Sequence, residues 1–156
     1  MTSVDTQLVL TAACQCGANH FVLSRPPLLR FFCHCSICQR YTGQAVADVT
    51  LFGGRALQQQ QLQTTHFRRW KKPPNLERGS CLRCGQPVIE FALGRKLIFV
   101  PTGNIHESQQ LPKASCHLFY ASRQAEVTDG LPKCQGAINS QRQFGVGLIR
   151  GLWRSR

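Results

Sequence analysis

Long apolar runs are missing from this 156-residue chain. None approaches the ~20 consecutive apolar residues that a bilayer span requires, which excludes a transmembrane helix. The N-terminal stretch, residues 1–7, is polar and carries Asp5. It lacks the basic segment followed by an apolar segment that marks a secretory signal, so a reducing cytoplasm is the expected setting. Acidic side chains are few: 7 Asp and Glu stand against 19 Lys and Arg, a formal net charge of +12. Such a surface favours anionic partners, whether nucleic acid, acidic membrane or small anions. No internal repeat or linker divides the chain, so one domain is expected. Helical periodicity is also scarce. Short alternating stretches broken by frequent Gly and Pro argue for an all-β architecture.

Cysteine, by contrast, is abundant. There are nine, an odd number, and seven sit in C-x-C or C-x-x-C groups. That spacing suits metal ligands better than a disulfide framework. The densest group is Cys33-His34-Cys35-Ser36-Ile37-Cys38. Thiolate and imidazole are the donors zinc prefers, normally four in a tetrahedron. Three Cys from one local loop leave a fourth position open, the mark of a catalytic rather than a structural site. Two further knuckles, Cys14-Gln15-Cys16-Gly17 and Cys81-Leu82-Arg83-Cys84-Gly85, each end in Cys-Gly. Glycine supplies the positive φ that a tight turn aiming N–H groups at thiolate sulfur needs. Cys14, Cys16, Cys81 and Cys84 complete a tetrahedron with no room for substrate, so that set reads as structural. The competing readings are buried or redox cysteines for the four, and a second structural zinc for the triplet, with His34 or a distant Cys as fourth ligand. His34 is flanked by two ligands, and its ring is free to point away, to pack or to meet a substrate. Cys116 and Cys134 read as small buried apolar residues. With two zinc sites filled, the net charge falls to roughly +9.

Strands are expected over 8–12, 20–23, 28–32, 45–52, 62–70, 88–93, 96–100 and 116–121, with a hairpin turn at Gly94-Arg95. Ser36 is the expected N-cap of a short helical turn ending near Gly43, its positive end beside the cysteines. Residues 58–61 are a brief polar run, 101–113 a loop and 129–132 a turn. Arg68-Arg69-Trp70-Lys71-Lys72 is the most basic patch. Its Trp could stack on a base, but no recognised nucleic-acid-binding motif accompanies it, and a solvated strand end is the plainer reading. From Gln135 the pattern weakens. Residues 144–154 mix apolar and basic side chains suited to a membrane or a partner. Three glycines argue against a helix there, and a frayed terminus is the plainer expectation.

In order and interval, the three cysteine groups resemble the glutathione-dependent formaldehyde-activating enzyme family, which includes centromere protein V. The resemblance spans about residues 8–133. Leu131-Pro132 is similar to the family's Asp-Leu-Pro signature, with Gly130 inserted after Asp129 and no Trp shortly before it. The resemblance implies a β-tent fold of small antiparallel sheets stapled by zinc, one domain over 1–134, and leaves 135–156 as a basic tail. It implies two zinc ions per chain, a structural one on Cys14, Cys16, Cys81 and Cys84 and a catalytic one on Cys33, Cys35 and Cys38. It also implies carbon–sulfur lyase chemistry, the addition of a glutathione thiol to formaldehyde to give S-(hydroxymethyl)glutathione. His34 is then the candidate catalytic residue for the thiol proton, with His66, His106 and His117 weaker ones. The two carboxylates of glutathione require Arg or Lys facing the pocket. The alternative is a non-catalytic zinc module that binds nucleic acid or a protein partner through its basic surface.

Overall fold

The computed structural model describes residues 8–71 and 76–156. The polar N-terminal stretch and Lys72 of the basic patch lie outside the described residues. Alternation of Leu10 and Ala12, and of Phe21 and Leu23, builds an antiparallel pair, β1 (Leu10–Ala13) and β2 (His20–Leu23), with Leu10 opposite Leu23. The strand β5 (Leu57–Gln61) pairs with β2 and completes a three-stranded sheet. This corrects the expectation for 58–61. Four glutamines form a strand because backbone bonds to β2 hold them while their side chains stay in solvent.

The second sheet has seven strands. Its centre is β3 (Leu29–Cys33), β4 (Ala47–Gly53), β9 (Leu97–Pro101) and β8 (Pro87–Ala92). Beyond β8 lie β7 (Glu77–Cys81) and β6 (Thr65–Arg69), and beyond β3 lies β10 (His117–Leu118). All its pairings are antiparallel except β10 with β3, which is parallel. The all-β expectation therefore holds: two sheets, mostly antiparallel, with few helices. The stretch expected as a strand over 116–121 is a two-residue strand, because Phe119 turns to φ 53° and leads into a 3-10 turn at Tyr120–Ser122.

Strands β4 and β9 carry core on both faces, and Leu97–Val100 of β9 reads as a continuous apolar run for that reason. Phe52, Ile98 and Val100 face Leu10, Phe21 and Leu23 of the smaller sheet. Val49, Leu51, Leu97 and Phe99 pack on the opposite side with Phe31 and Leu118. A helix covers that second side. Residues 137–154 form α2 (Ala137–Arg154), overturning both the frayed terminus and the argument from three glycines. Phe144 from this helix stacks on Phe99 at 5.9 Å and meets Phe31 edge-on at 5.7 Å. Two of the glycines are what permits docking. A Cβ at Gly147 would stand 2.9 Å from the Leu29 side chain, and one at Gly151 would stand 2.2 Å from the Leu28 carbonyl oxygen.

Candidate metal centres

The four-cysteine group joins the two sheets. Cys14 follows the last residue of β1 in the smaller sheet, and Cys81 ends β7 in the larger. The four Sγ atoms lie within 4.8 Å of one another. Cys14 to Cys16 is 3.7 Å and Cys16 to Cys81 is 3.6 Å. A tetrahedron with Zn–S bonds of about 2.3 Å has edges of about 3.8 Å, so the donors fit a zinc ion. Both knuckles close as their sequences suggest. Gly17 and Gly85 hold φ of 76° and 72°, and their N–H groups donate to the Cys14 and Cys81 carbonyls. Amides point at sulfur as well: the Asn19 N–H at Cys14 (3.4 Å) and the Arg83 N–H at Cys81 (3.3 Å). Burial opposes ionisation of Cys14, Cys81 and Cys84, but such N–H groups outweigh it and leave all three thiols below their ordinary pKa. Asn19 gave no signal in the sequence, yet it is fully buried. Its Oδ1 accepts from the Thr64 and Thr65 hydroxyls at 2.8 Å each, and its Nδ2 reaches Cys14. It locks one knuckle to the start of β6.

The three-cysteine group, Cys33, Cys35 and Cys38, also has its sulfurs within 4.8 Å of one another. Cys33 ends β3, and the other two belong to the entry of α1 (Ser36–Thr42). The N-cap is Cys35 rather than the expected Ser36, because its sulfur accepts the Cys38 N–H at 3.3 Å. The helix ends as expected at Gly43, φ 68°. Hydrogen bonds from Cys33 and Cys38 hold the Cys35 thiol far below its ordinary range. The same sharing pushes Cys33 up to about 12 and Cys38 higher. Of the three thiols, Cys35 is thus the one that ionises most readily. Three soft donors suit a thiophilic divalent metal, and the positive end of the helix favours their thiolate form.

An ion pair backs this group. Arg78 and Glu90 are each 6% exposed, with Nε 3.0 Å from Oε2. The Nε–H is poorly aligned with that oxygen and has no hydrogen-bond acceptor. The Arg78 Nη2 lies 4.0 Å from the Cys38 sulfur. Burial works against the Arg78 charge, but Glu90 and Cys38 more than restore it. Burial pushes the Glu90 carboxyl up to about 7 against the pull of Arg78. The only hint in the sequence is a carboxylate inside the apolar run Val88-Ile89-Glu90-Phe91.

His34 stands apart from the thiols. Its N–H and C=O are tied to the Leu118 carbonyl and the Gln39 amide. Its ring, 2% exposed, meets His117 at 2.8 Å from Nε2 to Nδ1. His117 in turn donates from Nε2 to Asp129 Oδ2 at 2.6 Å. Burial, then the neighbouring His117, lowers the His34 pKa. The His117 N–H holds Asp129 well below the usual carboxylate range. Of the weaker histidine candidates, only His117 joins His34; His66 lies on β6 and His106 in the loop after β9. The inserted Gly130 takes φ 73°, which lets the Asp129 carboxylate also accept the Leu131 N–H and the Lys133 ammonium.

A cleft of about 590 Å³ is lined by Cys14 and Gln15 of the four-cysteine knuckle and by Thr42 and Ala47, neighbours of the three-cysteine group. Ala47 pairs with Cys33, and the Thr42 hydroxyl donates to the Cys38 carbonyl. Asn104 and His106 also face it, and among the described residues that line it there is no Lys or Arg. The basic pocket expected for glutathione is thus not found in this cleft. The two arginines of the basic patch have partners within the protein. Arg40 and Arg68 lie 5.1 and 4.8 Å from the Trp70 ring centre, and Arg69 pairs with Glu77 at 2.9 Å.

Fold and sites together define a mostly antiparallel two-sheet protein with one closed four-cysteine group and one open three-cysteine group. The sequence profile of the family described as glutathione-dependent formaldehyde-activating enzyme matches residues 9–122, and the chain belongs to that family. A crystal structure of a Rhodobacter sphaeroides protein is similar in fold, with a TM-score of 0.52 and 16% identity over 62% of this chain and 88% of that one. No curated protein matches.

Proposed function

We propose that this chain is a zinc-dependent enzyme of the carbon–sulfur lyase type, resembling S-(hydroxymethyl)glutathione synthase and acting on a glutathione–formaldehyde or related thiol–aldehyde adduct. The observation that carries the reading is the contrast between the two groups. Four converged thiols match the donor number of a closed tetrahedral site, while three converged thiols at a helix start supply one donor fewer. Cys14, Cys16, Cys81 and Cys84 would hold a structural zinc, and Cys33, Cys35 and Cys38 a reactive one. Zinc held by the second group would supply Lewis acidity.

The chemistry asks the protein for charge and proton control. The thiol gives up a proton, its sulfur bonds to the aldehyde carbon, and the carbonyl oxygen takes a proton; no electrons leave the pair of reactants. Arg78 beside Cys38 offsets negative charge as a thiolate substrate approaches. His34 is the candidate base. Asp129 accepts from His117 Nε2, so His117 Nδ1 is left to accept from His34 Nε2 when both rings are neutral. His34 Nδ1 then carries the free lone pair. Burial keeps that ring neutral and able to take a proton.

The test is exchange spectroscopy of glutathione, formaldehyde and their adduct with zinc-loaded protein, after subtraction of the uncatalysed rate. Acceleration is expected, lost in Cys35→Ser together with one zinc, and reduced about tenfold or more in His34→Asn with both zincs retained. Two bound zincs and no acceleration would remove the named reaction.

A further inference from the structure

The helix α2 has two unlike faces. Phe144, Gly147, Leu148 and Gly151 lie against the sheet. At 100° per residue the opposite side carries Ile138, Val146, Ile149, Leu152 and Trp153. These are 83, 37, 58, 44 and 77% exposed. They form a stripe about 22 Å long with no covering element among the described residues. Residues 135–156 hold Arg142, Arg150, Arg154 and Arg156 and no Asp or Glu. Arg142 falls within the stripe, and Arg150 and Arg154 lie along one flank.

We propose that this face of α2 docks on an anionic phospholipid surface. The apolar stripe would enter the boundary between headgroups and acyl chains, and the arginines would meet lipid phosphates and acidic headgroups. Charge selects this occupant. A second copy would bring arginines of one sign against each other along an apolar seam. A protein partner would need a groove to receive the ridge of a helix already docked along its other side, whereas a lipid surface receives it without one. Trp153 near the helix end, among arginines, is the side chain that anchors at such an interface. No helix of the described residues is long and apolar enough to cross a membrane, so α2 lies on the surface rather than through it. The docking is independent of the reaction proposed above.

The experiment is co-sedimentation of the full zinc-loaded chain with vesicles of phosphatidylcholine alone or with about 30% phosphatidylserine, at about 50 mM and about 500 mM salt. Partitioning is expected to be about tenfold or more stronger on the anionic vesicles and to weaken severalfold at high salt. Ile149→Asp, at an exposed position, should reduce it about tenfold with an unchanged near-ultraviolet circular dichroism spectrum. In a Trp70→Phe background, Trp153 emission should shift to the blue on vesicles. Three results would overturn the proposal. The first is no preference for anionic vesicles. The second is binding that survives Ile149→Asp but is lost in Arg68→Gln/Arg69→Gln, which would assign it to the basic strand end. The third is a dimer that Ile149→Asp converts to monomer, which would give the face to a second copy.

Discussion

Protons decide how the three-cysteine group takes a metal. Cys35 is ionised at neutral pH because Cys33 and Cys38 share their protons with it, and those two thiols are held above their ordinary pKa. A metal must therefore expel two protons, the three thiols less the one already ionised. Proton and metal compete, so affinity falls as pH falls. With the four-cysteine group already filled, cobalt affinity read from the thiolate charge-transfer band should rise about 100-fold per pH unit around neutrality. A rise of only about tenfold would contradict the shared-proton arrangement. The cysteines were legible in the sequence because each knuckle is local and its spacing survives without a fold. Arg78 and Glu90 were not, and His117 and Asp129 were visible only as a weak candidate and as part of a turn, not as partners of His34. They are ordinary polar residues until β7, β8, β10 and the turn at Asp129 bring them near the C-H-C segment, and only their tertiary partners give them their chemistry.

Strands were readable where packing imposes a pattern, as in β2, β4, β8 and β9, whose apolar side chains meet the core. They were unreadable where backbone pairing alone supports them, as in β5. The helix α2 was misjudged for a different reason. A helical glycine costs about 1 kcal/mol relative to alanine in isolation, but here the missing Cβ is the condition for contact with β3. The two effects have opposite signs at different glycines. Gly151→Ala gains about 1 kcal/mol of propensity but drives a methyl against the Leu28 carbonyl, a clash of about 1–3 kcal/mol or more. It should lower the melting temperature. Gly145→Ala meets nothing within 4 Å and should raise it slightly. Thermal unfolding of both variants checks the pair. Equal shifts would mean that α2 does not dock through its glycines.

For the whole molecule, the four-cysteine group is a joint between two sheets whose shared core runs from Leu10 and Phe21 to Phe52 and Ile98. The central strands β4 and β9 have core on both faces and keep one face packed without the joint. The strands β1, β2 and β5 depend on it. Chelation of the metal should therefore cost amide protection in β1, β2 and β5 well before β4 and β9, as hydrogen exchange would measure. Simultaneous loss in both sheets would mean one cooperative unit. The family profile stops at residue 122. Asp129, which completes the His34–His117 chain, and the whole of α2 lie beyond it.

The separation of the joint's two halves has a consequence during synthesis. Cys16 and Cys81 are 65 positions apart. At about 5–20 residues per second, a ribosome leaves the first pair of thiols without its partner for roughly 3–13 seconds. Cys33, Cys35 and Cys38 emerge almost together. On the nascent chain the three-cysteine group thus has all its cysteines first, while Cys14 and Cys16 spend that interval open to oxidants and to competing metals.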